Sequence, residues 1–253
     1  MEEVAEVPIR QFAPPPPSSA AKRPWCTAAN IGFLAVTITA VGCWFGDERF
    51  AMTPTWTLRL NATGPVAAQR IMVPVSRVAP TVLLFSVATL LLARKLGGVA
   101  GSNLRRVEMV VSHAVITALL GVLAGCIDFW LLLALFQLGA TMAIALILQD
   151  FLHLHRLRVE HLAYALALFA WLGAWIVIFD HIARTPVPRT IRGALAVYFV
   201  LAVLPLLLPP IRACRGHTLD QMEKARDFIG LGSRTVLVIM LTAGLQAVER
   251  GII

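Results

Sequence analysis

From residue 25 onward the chain is a series of long apolar runs separated by short polar clusters. Seven runs have the length and continuity of membrane-crossing helices: 25–46, 78–96, 104–127, 129–149, 160–179, 191–211 and 227–248. Each is close to the ~20 residues that a helix needs to cross a hydrocarbon core of about 30 Å. Only helices or closed barrels satisfy every backbone group in lipid, and runs without period-two alternation are helical in type. The pattern therefore predicts an all-α membrane protein with a bundle of seven transmembrane helices. The third and fourth runs are joined by "GCIDFW", which leaves Asp128 to mark the turn.

The connections differ in character. Residues 47–77 form the one long loop, and "TPTWTLRLNATGPVAAQRIMVPV" within it alternates apolar Trp56, Leu58 and Leu60 with polar neighbours before the turn signal "NATGP". That pattern predicts a β-hairpin. Asn61 begins an Asn-Ala-Thr sequon, a glycosylation acceptor only on the non-cytoplasmic side. Residues 1–24 contain "APPPPSSAAKRP", whose prolines favour an extended, solvated tail. No apolar run precedes Trp25, so no cleavable signal peptide is expected. The expected organisation is a disordered proline-rich cytoplasmic tail over 1–24 and a transmembrane domain over 25–253.

Composition sharpens the class. Hydrophobic residues make up 58% of the 253 and charged residues only 14%, against the ~25% charged that is usual in soluble domains. The net charge of +8 sits in short clusters between apolar runs and forms no stripe, which excludes nucleic acid as the expected partner and leaves the lipid bilayer. With a cytoplasmic amino terminus, thirteen Lys and Arg fall on the inner side and eight on the outer, with Arg234 left inside the membrane. The positive-inside rule then favours an integral, multi-pass protein with its amino terminus in the cytoplasm and its carboxyl terminus outside.

Four cysteines (Cys26, Cys43, Cys126 and Cys214) are too scattered for a disulfide scaffold or zinc site. Cys43 and Cys126 could meet near the outer face, or simply be small residues at helix ends. His153 and His155 are two apart and do not share a helical face, so they read as a solvated loop and no metal site is expected. Asp180 and His181 stand at an outer helix end without an evident partner. The spans contain no Ser-His-Asp order, phosphate loop or paired carboxylates, so no enzyme and no catalytic residue are expected.

The segment 105–150, "RRVEMVVSHAVITALLGVLAGCIDFWLLLALFQLGATMAIALILQD", resembles heliorhodopsins. Their third helix opens on a basic-aromatic-x-Glu-Tyr-Ser-x-Ser pattern, and their fourth carries a run like "LLALFGLNATM". "FAMTPTW", "NATGPV", "WLGAWIVI" over 171–178 and "EKARDFIGLGSRT" from Glu223 are similar to the family as well. The resemblance implies an inverted rhodopsin-like bundle and a homodimer to which the outer hairpin contributes.

On that pattern Glu108 takes the position of the Schiff-base counterion, Ser112 that of the second serine, and Arg234 that of the retinal-bearing lysine. Met109 and Val110 replace the family's Tyr and first Ser, the second helix has no histidine, and the sixth lacks the polar residues expected near its end. Of the three lysines, Lys22 and Lys224 lie outside the apolar runs and Lys95 stands at the polar end of the second, so none is in the middle of a span. A Schiff base needs a primary amine that can lose its proton, which a guanidinium does not supply. Covalent retinal is therefore not expected, and no other cofactor is implied.

Several residues admit two readings. Arg234 either snorkels to the cytoplasmic interface or forms a buried, direct or water-bridged pair with Glu108. It lies eight residues past Arg226, about 12 Å along a helix, which is far for snorkelling. His113 is either a packed residue or a proton relay. Trp171 and Trp175, four apart, either line an inherited apolar pocket or face lipid. Gly121 and Gly125 have the spacing of a close helix packing motif.

The expected function is a heliorhodopsin-like membrane module without photochemistry that signals, scaffolds or regulates a protein partner of unknown identity. The alternative is a sensor or carrier of a noncovalently held retinoid or other apolar small molecule. An ion or proton transporter is the third reading, weakened by the scarcity of further ionisable residues in the spans.

Overall fold

The computed structural model describes residues 36–37, 55–57, 70–72, 75–126, 128–155, 159–215 and 219–249. The first expected span is represented there by Val36 and Thr37, which are helical, and Val36 packs against Val87 and Leu90. The tail, Asn61, Cys26 and Cys43 lie outside the described residues.

Strand β1 (Thr55–Thr57) pairs antiparallel with β2 (Arg70–Met72), with Trp56 opposite Ile71. Six helices follow: α1 (Val75–Leu96), α2 (Gly98–Leu123), α3 (Phe129–Leu154), α4 (Glu160–Arg184), α5 (Arg189–Arg215) and α6 (Leu219–Glu249). Among the described residues, α1 to α5 are long and apolar enough to cross a membrane. Consecutive helices from α1 to α4 pack together, α5 packs on α6, and α6 closes back on α1.

The helices outrun the apolar spans. α6 starts at Leu219, two turns before the expected 227, and α4 continues to Arg184 instead of ending near 179. Hydropathy marks where lipid begins, whereas a helix ends where its last backbone groups find caps, and polar residues continue it through the headgroup layer. α2 begins at Gly98 instead of 104, because Gly97 and Gly98, at φ 61° and 50°, supply the left-handed turn that links it to α1.

α2 also stops at Leu123, short of the expected 127. Gly125 has φ 94° and belongs to the turn, so the pair Gly121 and Gly125 is not a packing motif within one helix. Gly121 alone does that work, since a Cβ there would overlap Leu135 of α3. Asp128 caps α3 by accepting from the backbone N–H of Trp130 at 2.7 Å and of Leu131 at 3.3 Å. Gly139 permits a close approach of α3 to α2, because a Cβ there would sit 2.6 Å from the His113 carbonyl oxygen.

The main core gathers Leu83, Leu119, Leu135, Trp175, Leu195 and Leu237 from all six helices. The opposite pole is lipid-facing. On α4, Leu162, Phe169 and Ile176 recur every seven residues and are 67–73% exposed, which suits a hydrocarbon solvent and would be costly in water.

Candidate functional site

Three helices bring polar groups to one point inside the bundle. Ser86 interrupts an apolar stretch of α1, Glu108 and Ser112 stand one turn apart on α2, and Arg234 lies midway along α6. All four are nearly sealed from solvent, with Ser86 and Ser112 at 0%, Glu108 at 4% and Arg234 at 5% exposure. Arg234 Nη1 donates to Glu108 Oε1, a direct ion pair, and to Ser86 Oγ at 2.6 Å. Ser112 Oγ donates to the same carboxylate oxygen at 2.8 Å, and Ser86 Oγ donates to the Val82 carbonyl at 2.9 Å. The two hydroxyl oxygens lie 3.2 Å apart. Each has one proton, so their mutual contact competes with the bonds to Val82 and Glu108.

The arrangement follows from the cost of isolated charge in a low dielectric. Either ion alone would have to leave the interior or lose its charge, and arginine does not lose its charge. Placed together, each charge is compensated by the other, and the serines supply the remaining hydrogen bonds. Glu108 and Ser112 face Arg234 because positions four apart share a helical face. The snorkelling reading of Arg234 is not what the bundle adopts, since its charged end meets a carboxylate in the interior.

Two further ion pairs lie toward the amino-terminal ends of α2 and α6. Arg226 Nη1 donates to Asp150 Oδ2 of α3 at 2.6 Å, and Arg105 Nη1 lies 3.6 Å from Asp227 Oδ2. α6 is thus tied by charge to α2 twice and to α3 once. These contacts were not foreseen from the sequence, where Arg226 and Asp227 read as a loop and the edge of a span. Helical spacing was the available signal: Arg226, Gly230 and Arg234 recur every four residues on one face of α6.

His113 Nδ1 lies 2.8 Å from the Met109 carbonyl oxygen, a local bond within α2 that matches its reading as a packed residue. Trp175 is buried and Trp171 half-buried. They stand inward around Phe199 of α5, at ring-centroid distances of 4.9 and 5.1 Å. With His113, Tyr198 and Arg234 they line a cavity of about 40 Å³. A second cavity, of about 220 Å³, extends from Glu108 and Arg234 toward the Arg226–Asp150 and Arg105–Asp227 pairs.

The remaining polar candidates are locally engaged. His153 Nδ1 lies 2.6 Å from Glu160 Oε2 across the α3–α4 connection, and His155 Nδ1 lies 2.9 Å from the Phe151 carbonyl oxygen. Asp180, expected to lack a partner, pairs with Arg184 one turn on at 2.7 Å, and His181 Nδ1 is 3.0 Å from the Val177 carbonyl oxygen. The described residues hold no group of three or more potential metal ligands. Cys126 is buried in the α2–α3 turn, where burial first, then Asp128 and Asp180, push its thiol up to about 11.

The heliorhodopsin family model matches residues 68–208, more than half of the chain, from β2 through most of α5. The chain belongs to the heliorhodopsin family. No curated protein matches it. Glu108, Ser112, Trp171 and Trp175 lie inside the matched region of this heliorhodopsin. Arg234 lies beyond it, and its place at the centre rests on the contacts just described.

Retinal is the group that the family implies, and the residue that faces Glu108 offers no primary amine for its covalent attachment. The group facing Glu108 is a guanidinium already committed to that carboxylate and to Ser86. The cavity on its Trp171 and Trp175 side is about 40 Å³ and the one on its other side, lined by charged groups, about 220 Å³, whereas pockets that bury drug-sized ligands run from ~300 Å³ upward.

Proposed function

We propose that this heliorhodopsin forms no retinal Schiff base and acts as a non-photochemical membrane module that signals, scaffolds or regulates a protein partner. The observation that carries the reading is the buried ion pair of Arg234 and Glu108. In the proposed correspondence Glu108 holds the counterion position and Arg234 the retinal-lysine position. A cation that light and pH could neutralise is replaced by one that stays charged, so the carboxylate keeps a permanent partner. The pair then fastens α2 to α6 and has no proton to exchange with a chromophore.

The same reading completes the bundle to seven helices with 25–46, places the amino terminus in the cytoplasm, and takes β1 and β2 as the base of an outer hairpin. It includes a homodimer that uses this hairpin, and it allows glycosylation at Asn61. It assigns no catalytic residue and no metal. Noncovalent retinoid binding, with Trp171 and Trp175 as pocket walls, would require the cavity of about 40 Å³ to open several-fold. The aromatic packing of Trp171, Trp175 and Phe199 opposes that opening.

Purification with and without all-trans retinal tests the proposal. The expected spectrum has no band shifted beyond free retinal. A red-shifted band that resists hydroxylamine would contradict the proposal, and a protected but unshifted spectrum would favour the carrier reading.

A further inference from the structure

The larger cavity is built differently from the smaller one. Arg105, Arg106, Arg226 and Arg234 line it, against Glu108, Asp150 and Asp227. Three of these arginines each face a carboxylate: Arg234 faces Glu108, Arg226 faces Asp150 and Arg105 faces Asp227. Arg106 is the surplus charge. Among the described residues its Nη1 reaches a neutral amide oxygen, Asn103 Oδ1, at 3.5 Å. The lining therefore carries one net positive charge. Arg226, 92% buried by its 8% exposure, has an Nε with no hydrogen-bond partner among the described residues. A buried donor left unpaired is costly, and a ligand oxygen would repay it.

Apart from Ser102 and His113 the remaining walls carry no polar side chain, and two of them, Phe151 at 50% and Leu154 at 62% exposure, carry the cavity rim onto the exposed apolar surface of α3. A site with arginines at its base and exposed apolar residues at its mouth matches an amphiphile with an anionic head. Basic pockets between transmembrane helices hold phospholipid headgroups in this way. Arginine is suited to phosphate because its planar donors meet two oxygens at once.

We propose that the cavity bounded by Arg106 and Arg226 binds a phosphate oxyanion, supplied by the headgroup of an anionic phospholipid in the adjacent leaflet. The headgroup neutralises the surplus charge and offers an acceptor to Arg226 Nε, while its first acyl carbons lie along Phe151 and Leu154. The site is independent of whether retinal binds, because it lies on the inner side of the Arg234–Glu108 pair.

Native mass spectrometry of the full chain, released from nanodiscs of phosphatidylcholine alone or with phosphatidylglycerol, tests this. Phosphatidylglycerol should be retained at least about tenfold over phosphatidylcholine: both offer a phosphodiester oxyanion, but the choline cation of the latter cancels its charge and is repelled by the surplus arginine. Arg106→Gln should remove most of that preference while leaving the melting temperature in phosphatidylcholine unchanged, since Arg106 is exposed. Arg106→Lys should retain part of it. Inorganic phosphate added at millimolar concentration separates the sources. Displacement of the lipid by the free ion supports the same oxyanion site. Equal retention of the two lipids, or an Arg106→Gln protein that keeps the preference, overturns the proposal.

Discussion

Arg234 and Glu108, 126 residues apart in the chain, are joined by a direct ion pair in the interior of the bundle. Each is about 95% buried, at 5% and 4% exposure, so neither charge is set in bulk solvent. Their contact locks α6 against α2, and Ser86 extends the lock to α1. The predictions below follow from that geometry and from the packing around it.

Ser86→Ala should destabilise the protein by about 1.5 kcal/mol, the typical worth of a hydrogen bond to a charged group. Arg234 would keep Glu108 but lose its 2.6 Å contact to α1. Thr89→Ala one turn later removes only bonds to backbone carbonyls of its own helix, Phe85 at 2.7 Å and Ser86 at 3.1 Å, and should cost less than about 0.5 kcal/mol. Unfolding of both variants in mixed micelles measures the difference.

Arg234→Lys restores a primary amine at the centre. It should still yield no pigment with all-trans retinal, because the cavity on its Trp171 and Trp175 side is about 40 Å³ with Phe199 packed there, and the cavity of about 220 Å³ on its other side is lined by charged groups. Borohydride reduction followed by intact mass measures any adduct. A mass increase matching one retinal would show that the missing amine alone prevents attachment.

Both members of the central pair could be read from the sequence, because charged residues in apolar runs are rare enough to mark themselves. Ser86 carried no such mark. A serine in a transmembrane helix can satisfy its own hydroxyl on the preceding turn, and this one does so on Val82 at 2.9 Å, so only the fold reveals its second role. The Arg226–Asp150 contact was hidden for another reason: both residues sit at apolar-run edges, where charges ordinarily meet water. Helix ends were not legible, since α6 and α4 continue past the apolar runs into polar sequence, where hydropathy carries no information. Asp128, by contrast, was identified as the α2–α3 turn and caps α3 there.

Gly139→Ala should cost about 1–3 kcal/mol, the usual range for overpacking, because the added carbon meets the His113 carbonyl oxygen at 2.6 Å. The backbone cannot yield as a side-chain end would. Gly193→Ala on α5 meets nothing within 4 Å and should be neutral or slightly stabilising. Thermal unfolding of the two variants side by side checks the contrast.

Cys126 should react slowly with maleimides at neutral pH. With its thiol pushed up to about 11, roughly one molecule in a thousand carries the reactive thiolate at pH 8. The folded-state value is raised, so the neutral thiol is favoured and the labelling rate should climb about tenfold per pH unit until pH approaches 11. A rate that levels off near pH 8 to 9 would mean an ordinary, exposed thiol.

The most direct measurement is a double-mutant cycle on Arg234→Leu and Glu108→Leu, read as unfolding free energy. Each single substitution should cost about 3–5 kcal/mol, since it leaves one buried charge without its partner. The double variant should recover much of that loss, with a coupling above about 1 kcal/mol. Losses that simply add would contradict a paired role for the two charges.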